Sequence, residues 1–241
     1  EPEPEPAEPV MEVVFEDEFD GDDLSDGWEV ENPNPDRYVA EQGELLMIAG
    51  TPASNPSNEE MENVIAHAGA LPKGDWEIEV SFKLEAQHGQ EAFYFGVRND
   101  HDGWMAAGIK PSMEYGEVNF KTFIAKNESG KQSGFDTTFD TFGDTSSTGS
   151  TERWRRTGLG DKYSGEDFVI ILRKSGRSYA MSGTYAQEGD EEFKSFQSES
   201  LKMLRGKKKL FLAFCLSDHN RDFQGEGSVI INHVRVRAPV K

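Results

Sequence analysis

A single cysteine, Cys215, in 241 residues excludes an internal disulfide and any metal site built on a cysteine cluster. Basic residues are scarce as well. The 25 Lys and Arg stand against 45 Asp and Glu, for a formal net charge of -20. Gripping a phosphate backbone requires clustered Lys and Arg, and an anionic membrane surface asks for the same. Nucleic acid is therefore set aside as a partner, and so is direct membrane insertion, because no apolar run approaches the roughly 18 residues of a membrane-spanning helix. Helical periodicity is also missing: 198–204 is the best short candidate, and no amphipathic pattern outlasts two turns. Apolar residues make up only 35% of the chain, yet 16 Phe, 6 Tyr and 4 Trp supply bulk for a core, and a chain of this length buries one without staples.

The acids are unevenly placed. Residues 1–26 hold 12 of them and no Lys or Arg, which leaves 33 acids against 25 bases in the remainder. Residues 1–9 repeat Glu-Pro, a sequence that can neither pack nor pair as a strand and favours an extended, charged spacer. The expected organisation is a Glu/Pro-rich spacer over 1–10 followed by one domain over 11–241. The chain starts at Glu1 without a signal peptide. A mature product whose export signal has been removed, or a piece that omits it, fits this start. A Pro/Glu spacer ahead of a domain suits a tether, so the expected location is extracellular or attached to the cell envelope.

What is present is period two. In 76–85, Trp76, Ile78, Val80, Phe82 and Leu84 share one face, while Glu77, Glu79, Ser81, Lys83 and Glu85 share the other. That is the pattern of a half-buried antiparallel strand. Similar runs are predicted near 37–40, 44–49, 63–67, 92–98, 104–109, 117–126, 167–173, 177–186, 209–216 and 227–237. Turn chemistry separates them, at Gln42-Gly43, Pro72-Lys73-Gly74, Asp102-Gly103, Ser129-Gly130 and Ser175-Gly176. The stretch 136–165, rich in Thr, Ser, Gly and Asp, reads as a long loop, and 51–63 as a second. A dozen short strands with regular turns predict an all-β sandwich or barrel.

The opening Phe15-Glu16-Asp17-Glu18-Phe19-Asp20-Gly21, followed by Leu24 and Trp28, resembles the signature that begins many bacterial concanavalin A-like (laminin-G-like) jelly-roll domains. These include the DUF1349 and DUF1080 groups and the C-terminal domains of some β-xylosidases. Gly43-Glu44-Leu45-Leu46, Asp75 to Val80, Phe95-Gly96-Val97-Arg98 and Gly227 to Val234 resemble its later strands, in order, over about 12–238. The resemblance implies a concanavalin A-like jelly-roll sandwich of two curved antiparallel sheets. It implies no activity by itself, because the fold serves glycan-binding modules, glycosidases, lyases and adhesins.

Glycosidase relatives on this fold carry alternating carboxylates on one strand. Glu77 and Glu79 stand where the first two acids would, but Ser81 occupies the place of the proton donor. The other expectation for Glu77 and Glu79 is that they are solvated acids on an ordinary outer strand face. Many relatives hold a structural calcium between the acidic opening and an Asp of the last strand. Asp17 and Asp20 match the opening, whereas the last strand offers Asn232. On simple alternation Asn232 shares a face with Ile230, Val234 and Val236 and points inward, where its partner could be calcium or a backbone amide of the opening loop. The segments Asp100 to Gly103 and Asp218 to Asp222 read as solvated turns. His67 and His233 read as ordinary hydrogen-bonded strand residues, and Cys215 as a buried small hydrophobe.

Sugar recognition needs flat aromatic faces beside polar groups. Trp104, Tyr115, Trp154 and Tyr163 sit beside polar loops, while Trp28 and Trp76 read as core. Arg153, Arg155 and Arg156 flank Trp154 and could recognise acidic sugars or neutralise neighbouring acids. Three function classes follow. The first is an exported, envelope-tethered sandwich that binds a polysaccharide or another extracellular polymer without catalysis. The second is a glycoside hydrolase-like enzyme using the strand carboxylates. The third is a structural or adhesive subunit that self-assembles through its N-terminal arm.

Overall fold

Strands with two different faces need a second layer to bury the apolar one, and this chain builds two sheets that serve each other. The computed structural model describes residues 9–49, 61–85, 91–99, 103–114, 117–128, 131–144, 167–186, 194–202, 204–216 and 227–240. The first sheet has nine strands: β1 (Met11–Asp17), β3 (Tyr38–Glu41), β4 (Glu44–Ile48), β6 (Trp76–Glu85), β11 (Asp167–Ser175), β12 (Ser178–Ala186), β13 (Lys194–Gln197), β14 (Leu201–Lys202) and β16 (Ser228–Pro239). Its order is β13-β12-β11-β6-β16-β4-β3, with β1 also on β16 and β14 on β12. The second sheet has seven: β2 (Trp28–Glu31), β5 (Val64–His67), β7 (Glu91–Asn99), β8 (Trp104–Glu114), β9 (Glu117–Glu128), β10 (Lys131–Asp144) and β15 (Lys208–Leu216), in the order β10-β9-β8-β7-β15-β5-β2. Neighbours are antiparallel throughout. This is the all-β, concanavalin A-like jelly-roll sandwich that the alternation and the motif order predict.

The alternation of β6 is realised as written. Trp76, Ile78, Val80, Phe82 and Leu84 point into the layer between the sheets. Phe82 stacks on Phe168 of β11 at 5.2 Å and 16°, and meets Phe93 of the facing sheet at 4.7 Å. Each such ring removed from water contributes about 2–3 kcal/mol. The hairpin expected at Ser175-Gly176 joins β11 to β12, with Ser175 opposite Ser178. Gln42 and Gly43 join β3 to β4 at φ of 55° and 87°, the positive pair that a two-residue type I′ loop requires.

The middle of the seven-stranded sheet is apolar on both faces. Ala92, Tyr94, Trp104, Ala106, Phe123, Ala125, Phe211, Ala213 and Cys215 form a second buried cluster, separate from the layer between the sheets. Burial pushes the Cys215 thiol up to about 12. We expect a thiol reagent such as DTNB to leave the native protein unmodified at pH 8 and to titrate one thiol after denaturation; rapid native labelling would contradict the buried placement.

Three expectations change. The proposed short helix at 198–204 is instead partly strand: Leu201 pairs with Tyr179 on the edge of β12 and is buried there. The only helical piece among the described residues is a single 3-10 turn, Pro35–Arg37. The loop expected from 136 starts later, because 136–144 continue β10 against β9. Register shifts between Thr138 and Asp140 and between Phe142 and Asp144 break the period that alternation relies on. Finally, 61–63 are not surface loop. Met61 and Asn63 are buried, and Asn63 trades hydrogen bonds with the Asn34 backbone at 2.7 and 3.1 Å.

Candidate functional site

The polar face of β6 lies between β11 and β16, so its acids meet whatever those strands present outward. Antiparallel register sets Glu77 opposite Arg173 and Arg237, and Glu79 opposite Arg235. The Arg237 guanidinium grips Glu79 with two bonds, Nη1 to Oε2 at 2.7 Å and Nη2 to Oε1 at 3.1 Å. His233 Nε2 lies 3.1 Å from the same carboxylate, and Arg235 Nη1 is at 3.6 Å. Arg173 Nε lies 2.5 Å from Glu77. Arg235 reaches on to Glu16 and, at 3.0 Å, to Glu18, tying β1 into the same network. The expectation of solvated acids is corrected: Glu77 is 7% and Glu79 9% exposed, because arginines from both neighbouring strands lie over them.

The His233 contact, joined by the Arg237 fork and opposed by burial, lowers the Glu79 pKa to about 2. A carboxylate so held is ionised at neutral pH and cannot protonate a leaving oxygen. Ser81 sits opposite His233, and a hydroxyl is too weak an acid to replace it. The two β6 acids are thus both paired with arginines and largely closed to solvent. Its chemistry is that of a cross-strand clamp.

The acidic opening is likewise occupied by its own chain. Asp17 Oδ1 accepts the Phe19 N–H at 2.8 Å. Its Oδ2 accepts Ser25 Oγ at 2.5 Å and the Trp28 indole N–H at 2.7 Å. The Phe-x-Asp…Trp signature is therefore a structural latch, with Asp17 turning the chain at Phe19 and fixing Trp28 against the core. Asp20 is exposed. Asn232 does not point inward. A register shift between Ile231 and His233 puts Val229, Ile231, Val234 and Val236 in the core, and the Asn232 amide lies 3.5 Å from Ser81 Oγ on the outer face. Asp17 is opposite the inward Val234, so the two proposed ligands lie on opposite faces of the sheet. Among the described residues no three His, Cys, Asp or Glu converge as a metal-binding group.

Trp104 is 2% exposed and packs edge-on against Tyr94, with ring centres 6.1 Å apart. It is a core residue, which corrects its reading as a sugar platform. The polar loop beside it suggested access, but residues 104–109 of the strand it begins are buried on both faces. Tyr115, Trp154, Tyr163, Arg153, Arg155 and Arg156 lie outside the described residues, as do Asp100 to Asp102 and 218–222. Trp76 is buried, and Trp28 is half-buried against the core, as expected. His67 accepts the Gly69 N–H at 3.1 Å and packs on Phe15 and Trp28. The residues that sequence reasoning missed are Arg173, Arg235 and Arg237. A signal existed in His233-Val234-Arg235-Val236-Arg237, a period-two run of cations in an acidic chain.

No protein-family model and no curated protein sequence matches the chain. Solved structures match its fold. The GH43 protein BlXynB from Bacillus licheniformis aligns with 92% of this chain at a TM-score of 0.62 and 11% identity. The endo-β-1,3-glucanase from Pyrococcus furiosus aligns with 97% of this chain and 96% of its own, at 0.60 and 10%. The CBM2 module of the Lactobacillus casei BL23 phage J-1 evolved Dit aligns with 96% of this chain and 97% of its own, at 0.54 and 10%. Against the GH43 chains, this chain spans about two fifths of their length. Identity this low speaks for the sandwich and not for an activity.

Proposed function

We propose that this chain is an exported, envelope-attached β-sandwich that binds carbohydrate or another extracellular polymer without catalysis. The observation that carries the non-catalytic part is the Glu79 clamp: its bidentate Arg237 contact spends the carboxylate a hydrolase would need. The carbohydrate part is supported by the company the fold keeps, which includes a xylan β-1,4-xylosidase and an endo-β-1,3-glucanase. The order of the sequence motifs supports kinship with the DUF1349 and DUF1080 groups.

The test is sedimentation with insoluble xylan, β-1,3-glucan and cellulose, run beside a reducing-end assay on the same materials. Retention on at least one polymer without reducing-end release is the expected result. Release that disappears in Glu79→Gln, with the fold intact, would put the enzyme reading first. Calcium is expected to move the melting temperature by less than about 2 °C, since the Asp17 oxygens already accept three hydrogen bonds. A rise above about 10 °C, worth a few kcal/mol in a domain of this size, would overturn that expectation.

A further inference from the structure

The outer face of the nine-stranded sheet is not polar along its whole length. Beyond the arginine clamp it opens into a groove of about 670 Å³, within the roughly 300–1,000 Å³ of small-ligand sites. Leu46 and Ile48 of β4 and Ile230 of β16 form the floor. All three point away from the core and are half-buried. At the rim stand Asp36 and Arg37 of the 3-10 turn on one side and Glu85 of β6 on the other.

We propose that this groove is a binding site for a short stretch of neutral saccharide. The inference rests on the carbohydrate-binding reading above and gives that reading a place. An aliphatic floor matches the C–H face of a pyranose, while rim acceptors and donors match its hydroxyls. Glu85 spends one oxygen on Ser228 Oγ, at 2.9 Å, and keeps its other lone pairs for hydroxyl donors. Asp36 is exposed and offers a second acceptor. Arg37 is braced by Nη1 to the Ala49 carbonyl at 3.0 Å, so its remaining N–H groups are pre-oriented, which lowers the ordering cost of binding. Of the charged residues that line the groove, Asp36 and Glu85 are acidic and Arg37 alone is basic, and Arg37 is already paired with Glu62 at 3.9 Å, which disfavours uronates and other anionic sugars.

The strands also make the site rigid. Ser228 pairs with both Ile48 and Glu85, and Ile230 with Leu46 and Lys83, so floor and one rim are fixed by three hydrogen-bonded strands. Asn34 accepts the Asp36 N–H at 3.3 Å and bonds Glu62 at 3.1 Å, which holds the opposite rim. A groove whose walls are set before the ligand arrives suits recognition of a polymer segment with few strong contacts.

The experiment is calorimetric titration of the full 241-residue chain with xylotetraose, laminaritetraose, cellotetraose, chitosan tetramer and trigalacturonate. Saturable binding of at least one neutral tetrasaccharide is expected, with trigalacturonate weaker. Glu85→Gln should weaken that binding about tenfold or more, as loss of a charged hydrogen-bond acceptor does. Ile230→Trp fills the groove without touching the core and should abolish it, with both variants melting like wild type. Neutral binding that survives unchanged in both variants overturns the groove while the carbohydrate reading stands. Tighter binding of the cationic chitosan tetramer than of every neutral sugar overturns the neutral specificity. Binding of a charged oligosaccharide alone overturns the groove while the carbohydrate reading stands, and no binding by any of the five removes both together.

Discussion

Glu79→Gln is expected to lower the unfolding free energy at pH 7 by about 2–4 kcal/mol. That is somewhat below the roughly 3–5 kcal/mol of breaking a fully buried ion pair, because the Arg235 and Arg237 side chains keep about a quarter of their surface exposed. The linkage argument agrees. Glu79 titrates at about 2 in the native protein against an ordinary 4.5, a difference on the order of 3 kcal/mol. Because the native value is the lower one, the unfolded chain takes up the proton first. The stabilisation is therefore complete above about pH 5 and is lost as pH falls from 4.5 toward 2. Urea unfolding of wild type and variant at pH 7, 4 and 2.5 reads this directly. The gap between the two proteins should close as pH falls, because other acids titrate alike in both. A gap below about 0.5 kcal/mol at pH 7 would mean that the clamp contributes no more than a surface pair does. A double-mutant cycle with Arg237→Gln separates the pair from the cost of stranding one charge.

Gly96→Ala is expected to be severely damaging, at more than about 4 kcal/mol or outright failure to fold. Gly96 lies in β7 opposite Ala106. A Cβ built on it would stand 2.2 Å from the Met105 carbonyl oxygen and 2.9 Å from the Ala106 Cα, at a φ of +157°. Both obstacles are backbone. Neither can swing aside, since Met105 is packed in the main core and Ala106 in the second cluster. Gly74→Ala supplies the control: its φ is +95°, yet nothing stands within 4 Å of the added carbon. It should cost about 1–2 kcal/mol, the price of the backbone conformation alone. Comparable melting temperatures for the two variants would show that β7 and β8 can separate and that the close approach is not a constraint.

Period-two patterning carried most of the fold in plain view. From Trp76 to Glu85 every second side chain is apolar, and the structure puts all five of those in the core. Eleven of the sixteen strands among the described residues lie where alternation and turn residues place them. Two of the misses have local causes. β1 contains a bulge between Val13 and Phe15, and β10 has two register breaks. Each inserts a residue that a fixed period cannot accommodate. Asn232 faces outward by the same effect, because it is itself the extra residue of the bulge between Ile231 and His233.

The clamp was only half legible. That Glu77, Glu79 and Ser81 share a face follows from the backbone, because successive strand side chains must alternate. Which cations face them does not, because β6 and β16 come together across 158 residues between Glu79 and Arg237. Register between strands that far apart is chosen by the packing of both apolar faces at once. Trp104 marks the same boundary. Along its own strand it is followed by Met105, Ala106, Ala107, Gly108 and Ile109, all buried or small on both faces, so alternation loses its contrast and sequence cannot tell a buried outer face from an open one. The sequence by itself determined most strand positions, the tight turns and the single buried thiol, all of which depend on neighbours a few residues away. Tertiary structure alone decided that the acids are clamped, that Trp104 is enclosed and that Leu46, Ile48 and Ile230 share a groove floor, because each depends on strands distant in the chain meeting in one register.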